Sequence, residues 1–163
     1  MSGARRARLA IAALIGAFAG GCHRSAAGDN PAAASTDSLQ GTVRITGVDA
    51  LPRVTLAFDD GTPSVTLVGA PSLRQVAGLR VSVVGARAGS QMTVSRFTVV
   101  AANGVPATDG VLSIDGTALI LTTADGRRHT LVSPSPALRA AAGHRVWVSG
   151  PLTAPPVAYG VID

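Results

Sequence analysis

From Gly41 onward the chain alternates apolar and polar residues in short runs broken by turn residues, the period-two pattern of half-buried strands. Val43 and Ile45 alternate with Thr42, Arg44 and Thr46, and Val54, Leu56 and Phe58 form the inward face of a second run. That run ends at Asp59-Asp60-Gly61, where an Asp-Gly pair tolerates positive φ and suits a tight hairpin. Val65 and Leu67 predict a third strand. Pro71 opens a brief helix with Leu73 and Val76 on one face and Gly78 as its stop. Val81 and Val83 mark a fourth strand; Val94, Phe97 and Val99 mark a fifth, whose phase slips at Ser95-Arg96 as at a β-bulge.

The same pattern then returns. At an offset of 65 residues, Asp60-Gly61, Pro71, Leu73-Arg74, Gly78, Arg80-Val81, Val83 and Gly85 meet Asp125-Gly126, Pro136, Leu138-Arg139, Gly143, Arg145-Val146, Val148 and Gly150 without a gap. Upstream, the run from Gly41 to Gly47 answers the run from Gly110 to Gly116 once a short deletion is allowed. An internal repeat decides the fold reading. It predicts an all-β chain with tandem domains at residues 41–100 and 110–163, joined by a linker at 101–109. Each domain has five short strands and one small helix, in the order strand, strand, strand, helix, strand, strand.

That order is the one found in the OB-fold, a five-stranded Greek-key barrel. The Gly-x-Val start, the Asp-Gly turn, the Leu…Gly-x-x-Val-x-Val-x-Gly segment and the final apolar strand resemble uncharacterised OB-like domains of bacterial envelope proteins. The resemblance covers nearly all of residues 41–163 and implies two small OB-like β-barrels. In the second copy Pro151, Pro155 and Pro156 crowd the connection between the last two strands.

The N-terminal end follows a different rule. Arg5, Arg6 and Arg8 precede an apolar run from Leu9 to Ala19, and small residues lead to Cys22, the one cysteine. This is the build of a bacterial export signal, and the cysteine after Ala19-Gly20-Gly21 resembles the lipobox of lipoproteins. The resemblance implies a signal peptide at 1–21, and a diacylglycerol thioether and an N-acyl chain on Cys22 as the chain's only attached groups. His23 rather than Asp after the cysteine implies the outer membrane, on its periplasmic side. A rival site, Ala17-Phe18-Ala19, has the A-x-A form, and cleavage there would release a soluble periplasmic or secreted protein. The apolar run of roughly 11 residues is short of the ~20 needed to span a bilayer as a helix. Residues 22–40 are rich in Ala, Ser, Gly and Asp and read as a flexible tether.

Charge changes the picture once the signal is removed. The whole chain carries +5, but loss of Arg5, Arg6 and Arg8 leaves eleven basic against nine acidic residues, a net +2. All of the basic residues are Arg and all of the acidic ones Asp. So small an excess, with few aromatics for base stacking, argues against a nucleic-acid binder. His23, His129 and His144 are far apart in sequence and lack metal-ligand spacing. Asp59-Asp60 falls in a turn mirrored by Asp125, so hairpin chemistry explains it better than acid–base work. The serines lack a G-x-S-x-G context. No cofactor, metal site or catalytic residue is predicted, and the chain does not read as an enzyme.

Trp147 stands apart. It lies between Val146 and Val148, so alternation turns it to the opposite face, where the first copy has Ser82. Two roles fit it: an exposed anchor for a partner, or packing between the two domains. Arg80 and Arg145, repeated before the same strand, are the other candidate contact residues. The leading expectation is a membrane-anchored, non-enzymatic binding or assembly module for another envelope protein. The second is a periplasmic binder of a small ligand or polysaccharide, and the third a single-strand nucleic-acid binder.

One prediction needs only the sequence. Cys22→Ala should move the protein from the membrane pellet to the soluble periplasmic fraction and abolish incorporation of labelled palmitate. Continued pelleting of the variant would contradict the lipid anchor.

Overall fold

The computed structural model describes residues 36–48 and 52–163. Cys22, His23, the signal peptide and most of the tether lie outside the described residues. Among those described, the chain is all-β with ten strands: β1 Thr36–Thr46, β2 Arg53–Ala57, β3 Val65–Val68, β4 Arg80–Ala88, β5 Gln91–Ala102, β6 Val105–Asp115, β7 Ala118–Thr122, β8 Arg128–Thr130, β9 Arg145–Ser149 and β10 Ala158–Ile162. A 3₁₀ turn at Pro71–Val76 and a short helix, α1 Pro136–Ala140, occupy equivalent places before β4 and β9.

In the first repeat the strand pairings return to their start. β1 pairs with β2 and β4, β2 with β3, and β5 with both β3 and β4. All of these are antiparallel except β3–β5. In the second repeat the chain of pairings is open and runs β8–β7–β6–β9–β10. The repeats join through the β5–β6 hairpin, with Ala101 opposite Pro106 and Ala102 opposite Val105.

Each repeat buries its own core, as alternation requires. Leu56, Val43, Val65, Leu73, Val76, Val81, Val83 and Met92 fill the first; Leu112, Leu119, Leu121, Leu138, Val146 and Val148 fill the second. Full burial of one such side chain contributes roughly 1.5–3 kcal/mol. The phase slip has its structural counterpart: Val84 faces Arg96 and Gly85 faces Val94, so Ser95 is extra and its hydroxyl bonds the Val84 carbonyl. Ile45 departs from the expected inward face and is 49% exposed, as its counterpart Ile114 is 53% exposed. Both lie near the far end of a first strand, beyond the stretch paired on two sides.

Two boundaries differ from the sequence reading. Residues 36–40, assigned to the tether, pair with Ser82–Ala86 of β4, and Leu39 packs on the first core. Main-chain pairing does not depend on side-chain polarity, so a Thr-Asp-Ser-Leu-Gln segment can form a strand when a partner lies alongside. Residues 101–109 are not a linker but the end of β5, a turn, and the start of β6. Asn103 and Gly104 both have positive φ, as a two-residue primed hairpin turn requires. The Asn-Gly pair was the signal for it.

Gly41 and Gly110 show why the repeat keeps glycine at the head of each first strand. There β1 passes from β4 to β2, and β6 from β9 to β7. The bend brings the crossing strand's main chain against the glycine: a Cβ on Gly41 would lie 2.5 Å from the Ala57 carbonyl oxygen, and one on Gly110 would strike that of Thr122. Each repeat then closes over this point alike, with Gly78 N–H donating to Val43 O and Gly143 N–H to Leu112 O, both at 2.8 Å. Gly41→Ala and Gly110→Ala should each cost about 1–3 kcal/mol, read as a lower urea midpoint. An unchanged midpoint would contradict this account of the bend.

Candidate functional site

The outer face of β6, β9 and β10 is where the repeats differ most. Register places Asp109 opposite Trp147, Trp147 opposite Gly160, and Arg145 opposite Ile162, so these side chains share one face. In the first repeat Gln40, Ser82 and Thr98 hold the corresponding places of Asp109, Trp147 and Gly160. In the second repeat this face is turned onto the first. Ile162 is buried in the first core, and Trp147 and Ala107 pack against it half-buried. The indole lies over Gly160, where an added Cβ would come within 2.6 Å of Nε1. At the chain end, the Asp163 amide donates to Gln75 Oε1 at 2.6 Å. Trp147 thus packs half-buried against the first core.

Arg145 is likewise committed internally. Its Nε donates to Asp109 Oδ2 at 3.0 Å, a second nitrogen reaches the same oxygen, and that nitrogen also donates to the Phe97 carbonyl at 2.6 Å. The guanidinium carbon sits 4.4 Å from the Phe97 ring centroid, within cation–π range. Asp109 is only 4% exposed. Burial pushes its carboxyl above the ordinary aspartate value, and the hydrogen bonds and charge of Arg145 oppose that rise. Arg80 does not join this group; it is exposed and pairs with Asp59. Sequence reading missed Asp109, since a lone Asp in an assumed linker carries no signal of burial.

The splay of β5 from β6 beyond their short pairing opens two clefts that meet at Asp109, Thr123 and Ala124. One, of about 490 Å³, has Val99, Ala107 and Leu152 among its apolar walls. Thr98, Thr108, Asp125, Arg127 and His129 add polar groups. The other, of about 350 Å³, lies beside Phe97, Arg145 and Thr122. The β7–β8 turn that borders the larger cleft is held by its own bonds. Thr123 Oγ1 donates to the Asp125 carboxylate and holds it below the usual aspartate value, while the Arg127 amide also donates to it. Asp60 is held low in the same way by Thr62 in the first repeat, so the Asp-Gly pairs do serve as turns.

His129 borders the cleft half-buried, and His144 Nδ1 lies 2.9 Å from Asp163 Oδ1. No group of three His, Cys, Asp or Glu side chains among the described residues converges to hold a metal ion. No helix among them is long and apolar enough to cross a membrane. Compared with known proteins, the chain matches no family model, no curated protein and no solved structure at a significant level.

Arg145→Leu should be costly, because it strands a buried carboxylate; loss of one partner of a buried pair runs to about 3–5 kcal/mol. The pH dependence has a defined sign. A native aspartate pKa above the unfolded value means the native state binds the proton more readily, so this group's contribution to stability falls as pH rises through that interval. Without Arg145 the interval extends upward. The deficit of the variant against wild type should therefore be largest near neutral pH and shrink toward pH 4, in urea unfolding at both. Equal deficits would rule out the ion-pair explanation.

Proposed function

We propose that this chain is a lipid-anchored, non-enzymatic binding module of the bacterial cell envelope, made of two OB-like units with Cys22 as the lipid attachment point. In support, the pairing circuit β1–β2–β3–β5–β4 is the one expected of a five-stranded Greek-key barrel, and the second repeat follows the same plan short of one pairing. The observation that carries the binding function is the 490 Å³ cleft between the repeats. Its size suits a small molecule. Threonine hydroxyls and His129 beside apolar walls suit a neutral, hydroxyl-bearing ligand, and no Phe, Tyr or Trp lines the cleft among the described residues, which argues for one or two sugar units over a long stacked polymer.

A second reading, assembly with another envelope protein, no longer draws on Trp147 or Arg145, since both are engaged within the chain. What favours it instead is a strand edge in the second repeat that no strand among the described residues pairs, treated below.

The cleft reading is tested by melting the purified protein with a panel of neutral mono- and disaccharides of the bacterial cell wall. A ligand at 100 times its dissociation constant adds about 2.7 kcal/mol, a rise of several degrees for a domain of this size. Thr98→Val with Thr108→Val should remove the rise while leaving the unliganded melting temperature within about 2 °C. No rise with any saccharide at millimolar concentration would overturn the cleft reading.

A further inference from the structure

The two repeats handle their third strand differently. In the first, β4 and β5 run on together as a ribbon that reaches β3, where Gln91, Met92 and Thr93 pair in parallel with Thr66, Leu67 and Val68. The Thr66 amide donates to the Ser90 carbonyl at 2.9 Å, and Met92 is fully buried. In the second repeat this ribbon is cut short. β9 ends at Ser149, and the chain passes through Pro151, Pro155 and Pro156 before β10 begins at Ala158.

Matching the inward-facing pair Val148–Tyr159 to Val83–Phe97 puts Thr153-Ala154-Pro155 where Gln91-Met92-Thr93 should be. Pro155 has no N–H to give, and the Ala154 N–H is spent nearby on Pro151 O; beyond the segment, Val157 N–H donates to Ser149 O. Leu152 packs against the second core. The core is covered, but β8 gains no neighbour.

The direction of its free groups follows from the bonds it does make. Thr123 N–H donates to Arg127 O and Leu131 N–H to Leu119 O, so residues 127, 129 and 131 bond toward β7. By alternation the main-chain groups of Arg128, Thr130 and Val132 point away from β7. His129 faces Leu121 as Val65 faces Leu56, so by register rather than by sequence offset Thr130 occupies the place of Thr66, whose amide is bonded; yet no main-chain bond among the described residues joins Thr130 to a strand on the open side. Arg128 and Thr130 are exposed, and Val132 is 39% exposed. An open edge of this kind is a template for an added strand.

We infer that the outer edge of β8 is a strand-acceptor site for an extended segment of another polypeptide. The incoming segment lies parallel to β8 and alternates polar, apolar, polar, because the first repeat satisfies the equivalent edge with Gln91-Met92-Thr93 in that orientation. This inference rests on the assembly reading and names its partner class. It is independent of the saccharide cleft.

The probe is a labelled synthetic peptide copying residues 88–96 of this chain, added to the full-length, detergent-solubilised lipoprotein. Saturable binding read by fluorescence anisotropy, with at least tenfold slower hydrogen exchange at the Thr130 amide, is the expected result. A Met92→Asp peptide should bind at least tenfold more weakly, as should the normal peptide to Thr130→Pro protein. The exchange readout on the unaltered protein stands even if Thr130→Pro does not fold. Absence of binding overturns the inference, as does binding that leaves Thr130 exchange unchanged or that instead exposes the amides of Gln91–Thr93. A dimer in sedimentation whose β8 edge is protected without peptide also overturns it, since the occupant is then a second copy. Crosslinking in intact cells tests the assembly reading separately: a protein that binds peptide but has no envelope partner would sink that reading and leave the acceptor edge standing.

Discussion

The seat of the second repeat on the first is the constraint on which the rest of the structure depends. One sheet face, formed by β6, β9 and β10, must cover the first core with Trp147, Ile162 and Ala107. It also carries a buried carboxylate, Asp109, whose burial Arg145 offsets more than any other group. Apolar contact gives this joint most of its favourable energy, since burial is non-directional and scales with area. The ion pair gives it geometry. Arg145 holds Asp109 on its own repeat while donating to the Phe97 carbonyl of the other, so one guanidinium fixes the position of both. Gly160 completes the fit by leaving room for the indole.

This joint explains how two copies of one pattern come to differ. The inward faces remain alike because each must fill a similar volume, and the glycines at the strand crossings remain because main chain approaches main chain there. The outward faces were free to diverge. Gln40, Ser82 and Thr98 suit a hydrated surface; Asp109, Trp147 and Gly160 suit a contact. The repeated arginines went separate ways for the same reason. Arg80 meets Asp59 in water, where such pairs contribute little, whereas Arg145 sits against a carboxylate withdrawn from solvent. The clefts follow from the same geometry, since β5 and β6 must part beyond their hairpin for the second sheet to lie across the first.

The proposed functions draw on what the joint leaves over. The larger cleft retains hydroxyls and a histidine beside apolar walls, and the edge of β8 retains main-chain groups that its repeat does not pair. The edge lies on the second repeat, the copy with the shortened ribbon, and the cleft lies between the two repeats. With the ribbon short, the second repeat lacks one strand pairing while Leu152 covers its core, so the fold tolerates an opening that its sister copy does not have.

Read by itself, the sequence determined the all-β class, the twofold repeat, most of the buried residues of the first copy, the Asp-Gly turns and the bulge at Ser95. These depend on local periodicity and backbone chemistry, which a single strand and its turn carry within themselves. It misjudged residues 36–40 and 101–109, because strand pairing by polar residues and by a short Asn-Gly hairpin is settled by a neighbour rather than by composition. It singled out Trp147 and Arg145 but left the role of each undecided, and it passed over Asp109. Only the tertiary structure decided those, because facing outward from one's own repeat means solvent in one copy and a second core in the other. That distinction is a property of how two sheets meet, and no pattern along one strand encodes it.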